Sequence, residues 1–243
     1  MIHTETGGGE LGQWKAVKPE IAAILKIDPN NATGWTYSGQ REMALGRNDQ
    51  AQKDLDHAMS LNPELVQAIV AMGDLKRRQS HLKQAKNLYL KALDKDKNSS
   101  RSWTGLGFIA QIQGNTVEAQ SDFKKAVQVD PSNLRSLIIL TNSMAQQGHV
   151  HKAINILKAI PKKAADLRIT VKLAEYDTLI GKNTEAIQLL RPIVRQKIQI
   201  PDIDFVLAKA YQQSGRVQDA LDMVDRLMNM KEVSPVLKIA SPV

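Results

Sequence analysis

Residues Ser100–Pro131 read SRSWTGLGFIAQIQGNTVEAQSDFKKAVQVDP and decide the fold. They predict two short amphipathic helices joined by a tight turn at Gly114-Asn115. A frame placed 68 residues earlier brings the same kinds of residue to the same places. The landmarks of the two frames are Trp103, Leu106, Gly107, Gly114, Ala119, Phe123, Ala126 and Pro131, and Trp35, Ser38, Gly39, Gly46, Ala51, Leu55, Ala58 and Pro63. Self-similarity at a fixed period near 34 predicts a helical repeat array.

Six pairs of small residues, the two members of each pair twelve positions apart, set the phase of this array. The pairs are Gly39/Ala51, Gly73/Ala85, Gly107/Ala119, Thr141/Ala153, Ala174/Ala186 and Ala208/Ala220. Small side chains let two helix backbones approach closely, so each pair predicts one antiparallel helix pair. Glycine inside a helix costs about 0.5–1 kcal/mol relative to alanine, which indicates a packing requirement where glycine is used.

Glycine also recurs in the turn inside each helix pair, at Gly46, Gly114, Gly148, Gly181 and Gly215. Helices commonly end on a residue in the left-handed conformation, which glycine adopts without strain. Ser80 takes this place in the second repeat, and we expect a less favourable turn there. Asn115 followed by Glu118 predicts a capping box at the start of the next helix.

The ends of the array are predicted from proline and from the repeat phase. Proline stops three second helices, at Asp28-Pro29, Asn62-Pro63 and Asp130-Pro131. Residues 10–29 are therefore predicted to be an N-terminal half-repeat or capping helix, followed by six helix pairs over residues 30–228. Ser234-Pro235 predicts a capping helix through about Ala240, within a C-terminal segment at 229–243. Residues 1–9 are expected to be a disordered leader or an expression remnant, and the chain a segment of a longer array.

The pattern W-x-x-[L/S]-G, then G-x-x-x-x-A-x-x-x-[F/L]-x-x-A-x-x-x-x-P, resembles the tetratricopeptide repeat (TPR). The resemblance covers roughly Gly12 to Leu227, and it weakens in the C-terminal half, where Thr170 and Asp204 replace the tryptophan. It implies an all-α fold, a right-handed superhelical solenoid of about six antiparallel helix pairs with partial terminal helices. It also implies a concave groove, lined by the first helices, that binds a protein or peptide.

Composition narrows the function classes and the compartment. The chain has no cysteine, which excludes disulfides and thiolate metal sites and leaves both the cytoplasm and the periplasm open. No apolar run approaches the roughly 20 residues of a membrane span, and no signal peptide is visible. The net charge of +8 favours acidic partners. The Gln/Asn/Lys-rich composition suggests a bacterial protein.

Nothing in the sequence predicts catalysis. The chain contains no G-x-x-x-x-G-K-[S/T], G-x-S-x-G or H-E-x-x-H motif, so we expect no enzymatic activity and no cofactor. His149 and His151 lack further ligands at a suitable spacing, so no metal site is predicted. Three aspartate pairs are predicted to lie on exposed surfaces, namely Asp54/Asp56, Asp94/Asp96 and Asp202/Asp204.

The resemblance places three lines of first-helix residues on the groove wall, with arginines in register beside an apolar stripe. The candidate partner-binding residues are Val70, Arg77, Arg78, Arg101, Thr104, Phe108, Arg135, Ile138, Asn142, Arg168, Val171 and Phe205. Arginine pairs with carboxylates through two parallel hydrogen bonds, and apolar neighbours supply anchor area. We therefore expect an extended or helical peptide with acidic and apolar residues. The alternative is that these arginines only pair with neighbouring acids and keep the surface soluble.

The leading functional hypothesis is a non-catalytic interaction scaffold. A role in assembling a bacterial secretion or envelope complex rests on family analogy alone. One alternative is an RNA-binding helical-repeat protein, favoured by a pI near 9.6 but disfavoured by the 34-residue period and by few aromatic stacking residues. A second alternative is the docking arm of a larger enzyme. The identity of the partner and the oligomeric state are not determined by the sequence.

Overall fold

The computed structural model describes residues 17–160, 166–196 and 200–229. Within these residues the chain forms thirteen α-helices and no β-strand, as the predicted all-α fold requires. The helices are α1 (Lys18–Ile27), α2 (Ala32–Ala44), α3 (Asn48–Leu61), α4 (Val66–Arg78), α5 (Leu82–Lys95), α6 (Ser100–Ile112), α7 (Thr116–Val129), α8 (Leu134–Gln146), α9 (Val150–Lys158), α10 (Leu167–Leu179), α11 (Asn183–Arg195), α12 (Pro201–Gln213) and α13 (Val217–Met228). The predicted leader and the predicted capping helix at Ser234-Pro235 lie outside the described residues.

The chain divides into two compact units, Met1–Asn133 and Leu134–Val243, which are described separately. Unit 1 contains α1 and the helix pairs α2/α3, α4/α5 and α6/α7. Unit 2 contains the pairs α8/α9, α10/α11 and α12/α13. In each unit the first helix of one pair also packs against the first helix of the next. All six predicted helix pairs are therefore present, and α1 lies within the predicted N-terminal half-repeat.

The glycines of the close-crossing pairs make room for a large side chain of the second helix. A Cβ atom added at Gly39 would lie 2.6 Å from Leu55 Cγ, and one at Gly107 would lie 2.7 Å from Phe123 Cε1. At Gly73 it would lie 2.8 Å from Tyr89 Cε1. Glycine is thus required for packing at these positions. The group that requires it is mainly a large side chain of the second helix, four residues after the paired alanine, rather than the backbone of that helix.

Tyr89 occupies a slot between two first helices. Its ring is fully buried, and a Cβ atom at Gly105 on α6 would lie 2.2 Å from Tyr89 Cζ. Gly73 on α4 borders the ring as well, so two glycines frame a single aromatic side chain. One repeat earlier, the equivalent residues are Leu55 and Ala71, both fully buried. A smaller side chain on the second helix is thus matched by a larger one on the next first helix.

The turns inside the helix pairs share one hydrogen-bonding pattern. After α6, the N–H of Asn115 donates to the Ala110 carbonyl at 2.8 Å, and the N–H of Gly114 donates to the Gln111 carbonyl at 3.1 Å. Gly114 has a φ of 78°, and the other four turn glycines are also left-handed, as predicted. Ser80 has a φ of 62° and is the one residue other than glycine with positive φ among the described residues.

The predicted capping box at Asn115 is wrong. Its side chain accepts no hydrogen bond from the start of α7, and its amide nitrogen instead lies 3.4 Å from Glu118 Oε2. The backbone N–H that Glu118 would need is already bonded to Ala110. The turn that ends α6 therefore uses the backbone N–H of Asn115, and this donor is not left for the Glu118 side chain.

Second helices of unit 1 end on an extended residue whose side chain accepts a nearby backbone N–H. Asp28, Asn62 and Asp130 end their helices before proline, as predicted. Each accepts the N–H of the residue two positions on. Asp96 does the same without a following proline. The side-chain acceptor therefore recurs in all four turns, and proline reinforces only three of them.

Several carboxylates predicted to be exposed are buried instead. Asp54 is 4% exposed and accepts hydrogen bonds from Ser38 Oγ at 2.6 Å and Gln50 Nε2 at 2.7 Å. In unit 2, Asp204 is fully buried and pairs with Arg226, with 3.2 Å between Oδ2 and Nε. Hydrogen bonds and ion pairs of this kind offset the loss of water around a charged group.

Asp177 on α10 is buried with less compensation. It is 2% exposed, and its Oδ1 atom has no hydrogen-bond partner among the described residues. Burial raises the pKa of Asp177, while the charges of Lys158 and Lys182 oppose that rise. Equivalent positions of the other repeats carry Glu42, Lys76, Ala110, Met144 and Tyr211. The other carboxylate among them, Glu42, is also buried, but it pairs with Arg41 and Arg47.

Replacing Ser80 by glycine should raise the free energy of unfolding by about 0.5–1 kcal/mol. The left-handed conformation costs a residue with a Cβ atom about 1–2 kcal/mol, and the greater unfolded-state entropy of glycine offsets part of this gain. Urea denaturation followed by circular dichroism measures the change. The reciprocal variant Gly114→Ser should lose a similar amount, because space around Gly114 is open and only its φ is restrictive. A Gly114→Ser variant as stable as the natural chain would contradict this account.

Gly105→Ala should lower the free energy of unfolding by about 1–3 kcal/mol, since the added methyl group overlaps the Tyr89 ring. The same substitution in a Tyr89→Leu background should cost far less, because the Leu55 and Ala71 combination is accepted one repeat earlier. Urea denaturation of the four chains in a double-mutant cycle gives the coupling energy. Additive effects would show that Tyr89 is not what excludes a side chain at position 105.

Asp177→Asn should raise the free energy of unfolding at pH 7 by about 1 kcal/mol, since it removes an incompletely paired buried charge. A carboxyl whose pKa is raised in the folded state begins to destabilise the fold above its ordinary pKa, and the effect is complete above the raised pKa. The difference should therefore shrink as the pH falls toward the ordinary value of 3.8. Denaturation curves between pH 7 and pH 4 measure it. The exposed Asp94→Asn is the matched control and should show no such trend.

Candidate partner-binding face

In unit 1, polar and aromatic groups meet where α4 packs against α6. We call the surface around Asp74, Arg77, Arg101 and Phe108 the unit 1 face. Asp74 and Arg77 lie on α4, one turn apart, while Arg101 and Phe108 lie on α6. Three of these four residues belong to the predicted partner-binding set, and Asp74 occupies the position equivalent to Phe108 one repeat earlier.

Asp74 is the acceptor at the centre of the unit 1 face. The Tyr89 hydroxyl donates to its Oδ1 atom at 2.7 Å, and Arg101 Nη2 donates to its Oδ2 atom at 2.9 Å. Burial raises the pKa of Tyr89 far above its usual range, and the charge of Asp74 adds to this. The phenol therefore remains a hydrogen-bond donor. It holds the carboxylate from behind while Arg101, half exposed, holds it from the surface.

Arg77 places a second guanidinium beside this pair. Its Cζ atom lies 5.0 Å from the centroid of the half-buried Phe108 ring, which in turn packs edge-on against Phe123 at 5.3 Å. Arg77 also lies next to Tyr89, where its charge opposes the rise in the Tyr89 pKa. The buried Nε atom of Arg77 has no partner among the described residues. The unit 1 face thus presents two arginines, one carboxylate and an aromatic ring.

The predicted apolar stripe is not accessible in unit 1. Val70 is 2% exposed and belongs to the hydrophobic core. Thr104 is 8% exposed, donates to the Ser100 carbonyl at 2.8 Å and accepts from Asn133 Nδ2 at 2.9 Å. These side chains point into the contact between neighbouring helices, so they offer no surface to a partner. Arg78 is exposed, and its Nη1 atom donates to the Met43 carbonyl at 3.0 Å.

In unit 2, the first-helix residues are partly occupied by contacts within the chain. Asn142 accepts a hydrogen bond from the Tyr176 hydroxyl at 2.7 Å, and burial raises the pKa of Tyr176 to about 12. Val171 is 7% exposed and lies in the hydrophobic core. Arg135 is exposed and Ile138 is half-buried. Among the predicted residues on these helices, accessible apolar surface therefore comes from Ile138 and, to a greater extent, from Phe205, which is 64% exposed.

Arg168 is tied to the start of its own helix. Its Nε and Nη2 atoms each lie 3.0 Å from one oxygen of Asp166. Asp166 also accepts the backbone N–H of Arg168 at 2.8 Å, so it caps α10. Hydrogen bonds from Arg168 lower the pKa of Asp166. The guanidinium predicted to meet a ligand carboxylate thus already meets one within the chain.

Charges of both signs lie near Asp202, which precedes Phe205 by three residues on α12. Lys172 Nζ lies 2.7 Å from Glu175 Oε2. Burial raises the pKa of Asp202, with Lys172 opposing the rise and Glu175 adding to it. This surface therefore carries an exposed aromatic ring among paired charges, rather than an excess of basic groups.

Sequence reasoning missed the role of Tyr89 and Gly105 and undervalued Asp74. The available signal was the concerted change from Leu55 with Ala71 to Tyr89 with Gly105 between successive repeats. The tyrosine adds a hydroxyl and the glycine adds the space for it. Asp74 could then have been inferred as its acceptor, since it lies one position after Gly73, which borders the Tyr89 ring.

Two classes of site find no support in the part of the chain that the structure describes. No group of three or more His, Cys, Asp or Glu side chains there is arranged to hold a metal ion. No helix among those residues is both long enough and apolar enough to cross a membrane.

Family profiles described as Tetratricopeptide repeat match residues 110–174 and 88–121. Among curated proteins, the human Protein O-mannosyl-transferase TMTC3 is 22% identical over 224 residues. That alignment covers 88% of this chain and 24% of the relative, so the chain spans about a quarter of the longer protein.

Two solved structures show the same fold. YrrB, described as a TPR protein with an unusual peptide-binding site, has a TM-score of 0.54 at 19% identity, covering 72% of this chain and 91% of its own. PilW, described as a widely conserved type IV pilus biogenesis factor, has a TM-score of 0.53 at 18% identity, covering 89% and 86%. At such identities the likeness concerns the fold alone. The profile matches, the 34-residue repeat and the six helix pairs together support membership of the tetratricopeptide repeat superfamily.

Proposed function

We propose that this protein is a non-catalytic scaffold that binds an acidic segment of a partner protein on the unit 1 face. The observation that carries the proposal is that Arg77 stacks on Phe108 while Arg101 pairs with Asp74, one turn before Arg77 on α4. Guanidinium groups pair well with carboxylates, and the ring supplies apolar contact area. A segment with an acidic residue next to an apolar one matches this surface.

Asp74 leaves room for such a ligand. It accepts from one terminal nitrogen of Arg101, so the other N–H groups of that guanidinium can meet a second carboxylate. The ion pair is half exposed on the arginine side, and exposed pairs of this kind contribute roughly 0–1 kcal/mol. Arg77 also offers donors beyond its stacking on Phe108. An incoming carboxylate can therefore share Arg101 with Asp74, or replace Asp74 in the ion pair, at a small cost in free energy.

Unit 2, taken by itself, also carries apolar residues of the predicted partner-binding set. Phe205 is exposed on α12 and Ile138 is half-buried on α8, so both can contact a ligand side chain. Arg135 is exposed, and its alignment with Arg101 and Arg168 along one groove stays a prediction. Val70, Thr104 and Val171 are omitted from the proposed surface because they are buried.

Narrower roles rest on the relatives. A part in assembling a bacterial envelope complex is suggested by the fold shared with the pilus biogenesis factor PilW. A second candidate function is that of a docking arm in a longer enzyme, because TMTC3 matches most of this chain over a quarter of its own length. In both cases the proposed chemistry of the unit 1 face is the same.

Fluorescence anisotropy with labelled twelve-residue peptides that alternate Glu and Leu tests the proposal. The full chain should bind them, and the double variant Arg77→Glu/Arg101→Glu should bind at least tenfold more weakly, because two charge-assisted hydrogen bonds are lost. The matched control is Lys91→Glu/Lys124→Glu, which makes the same charge change at exposed positions of second helices. Circular dichroism checks that all chains remain helical.

If both double variants bind the peptides equally weakly, net charge alone explains the loss of binding, and the proposed specific site is contradicted. Binding of single-stranded RNA with a steep negative salt dependence, without binding of the peptides, would replace the proposal by the nucleic-acid hypothesis.

A further inference from the structure

The last described helix carries an apolar stripe that no described residue covers. Val217 is 64% exposed, Leu221 50%, Val224 42% and Met228 82%. These residues recur at intervals of four, three and four, so they share one face of α13. We call them the α13 stripe. Apolar side chains aligned in this way indicate a surface that another segment covers.

The equivalent face of α11, one repeat earlier, shows what kind of segment covers it. Ile187 is equivalent to Leu221 and is 8% exposed, and Leu190 is equivalent to Val224 and is fully buried. They share a hydrophobic core with Ile203 of α12, which packs directly on α11. The cover is thus the first helix of the following pair.

The residues that follow α13 repeat the landmarks of α12 at the same period. Pro235 lies 34 residues after Pro201, the first residue of α12. Leu237 is equivalent to Ile203, which is 1% exposed, and Ala240 is equivalent to Val206, which is 5% exposed. Ile239 is equivalent to Phe205, which is 64% exposed. The buried positions of α12 therefore recur as apolar residues in the correct register.

We propose that residues 235–240 of this chain dock on the α13 stripe in the register of a seventh first helix, burying Leu237 and Ala240. This surface lies on unit 2 and does not depend on the proposed function of the unit 1 face.

Hydrogen–deuterium exchange on the full chain tests the proposal with two substitutions that differ by two positions. Leu237→Asp should increase amide exchange in α13 by about tenfold or more, because a charge replaces a side chain at a buried register position. Ile239→Asp introduces the same charge at a position equivalent to an exposed one, and it should leave α13 exchange unchanged. Measuring exchange at two protein concentrations and sedimentation velocity in parallel shows whether the cover comes from the same molecule.

Protection of α13 that falls with Leu237→Asp alone and does not vary with concentration supports the docking. Equal effects of the two substitutions, or no effect of either, would overturn the proposed register. Protection that rises with protein concentration together with a dimeric sedimentation coefficient would assign the stripe to a second copy instead.

Discussion

The fold depends on how closely the two helices of each pair approach. In unit 1 a glycine on the first helix accepts a large side chain from the second, as Gly107 accepts Phe123. Dispersion and burial at these contacts are strong because no Cβ atom separates the large side chain from the first helix. The same contact fixes the register of the pair, and the left-handed turn residues join the helices without strain.

This constraint also shapes the surface where a partner is proposed to bind. Because Gly73 and Gly105 both lack a side chain, Tyr89 extends between two first helices and its hydroxyl reaches Asp74. Asp74 then holds Arg101, and Arg77 stacks on Phe108 nearby. The packing of Tyr89 between two glycines in the core therefore determines which surface charges are held in place and which hydrogen-bond donors remain for a ligand.

Counting basic residues overstates what the chain offers to an acidic partner. Arg168 is bonded to Asp166, Arg101 to Asp74 and Arg226 to Asp204, so much of the positive charge on these helices is balanced locally. The Arg101–Asp74 pair joins the first helices of neighbouring repeats, and the Arg226–Asp204 pair joins the two helices of one repeat, so these contacts span 27 and 22 residues in sequence. Arg168 and Asp166 are only two residues apart. Arg77 and Arg78 on α4 pair with no carboxylate among the described residues: Arg77 stacks on Phe108 and Arg78 donates to the Met43 carbonyl.

The sequence by itself determined the repeat length, the six helix pairs, the left-handed turns and the ends of the three unit 1 helices that precede a proline. These features depend on local conformation and on residues twelve or 34 positions apart, which a single chain displays directly. Only the tertiary structure decided that Val70, Thr104 and Val171 are buried and that Asp54, Asp177 and Asp204 lie inside. Exposure depends on how neighbouring helices are rotated against one another, and a rotation of a few tens of degrees moves a residue from surface to core. For the same reason the Tyr89–Asp74–Arg101 arrangement could not be predicted from residue types, because it requires three helices to meet at one point.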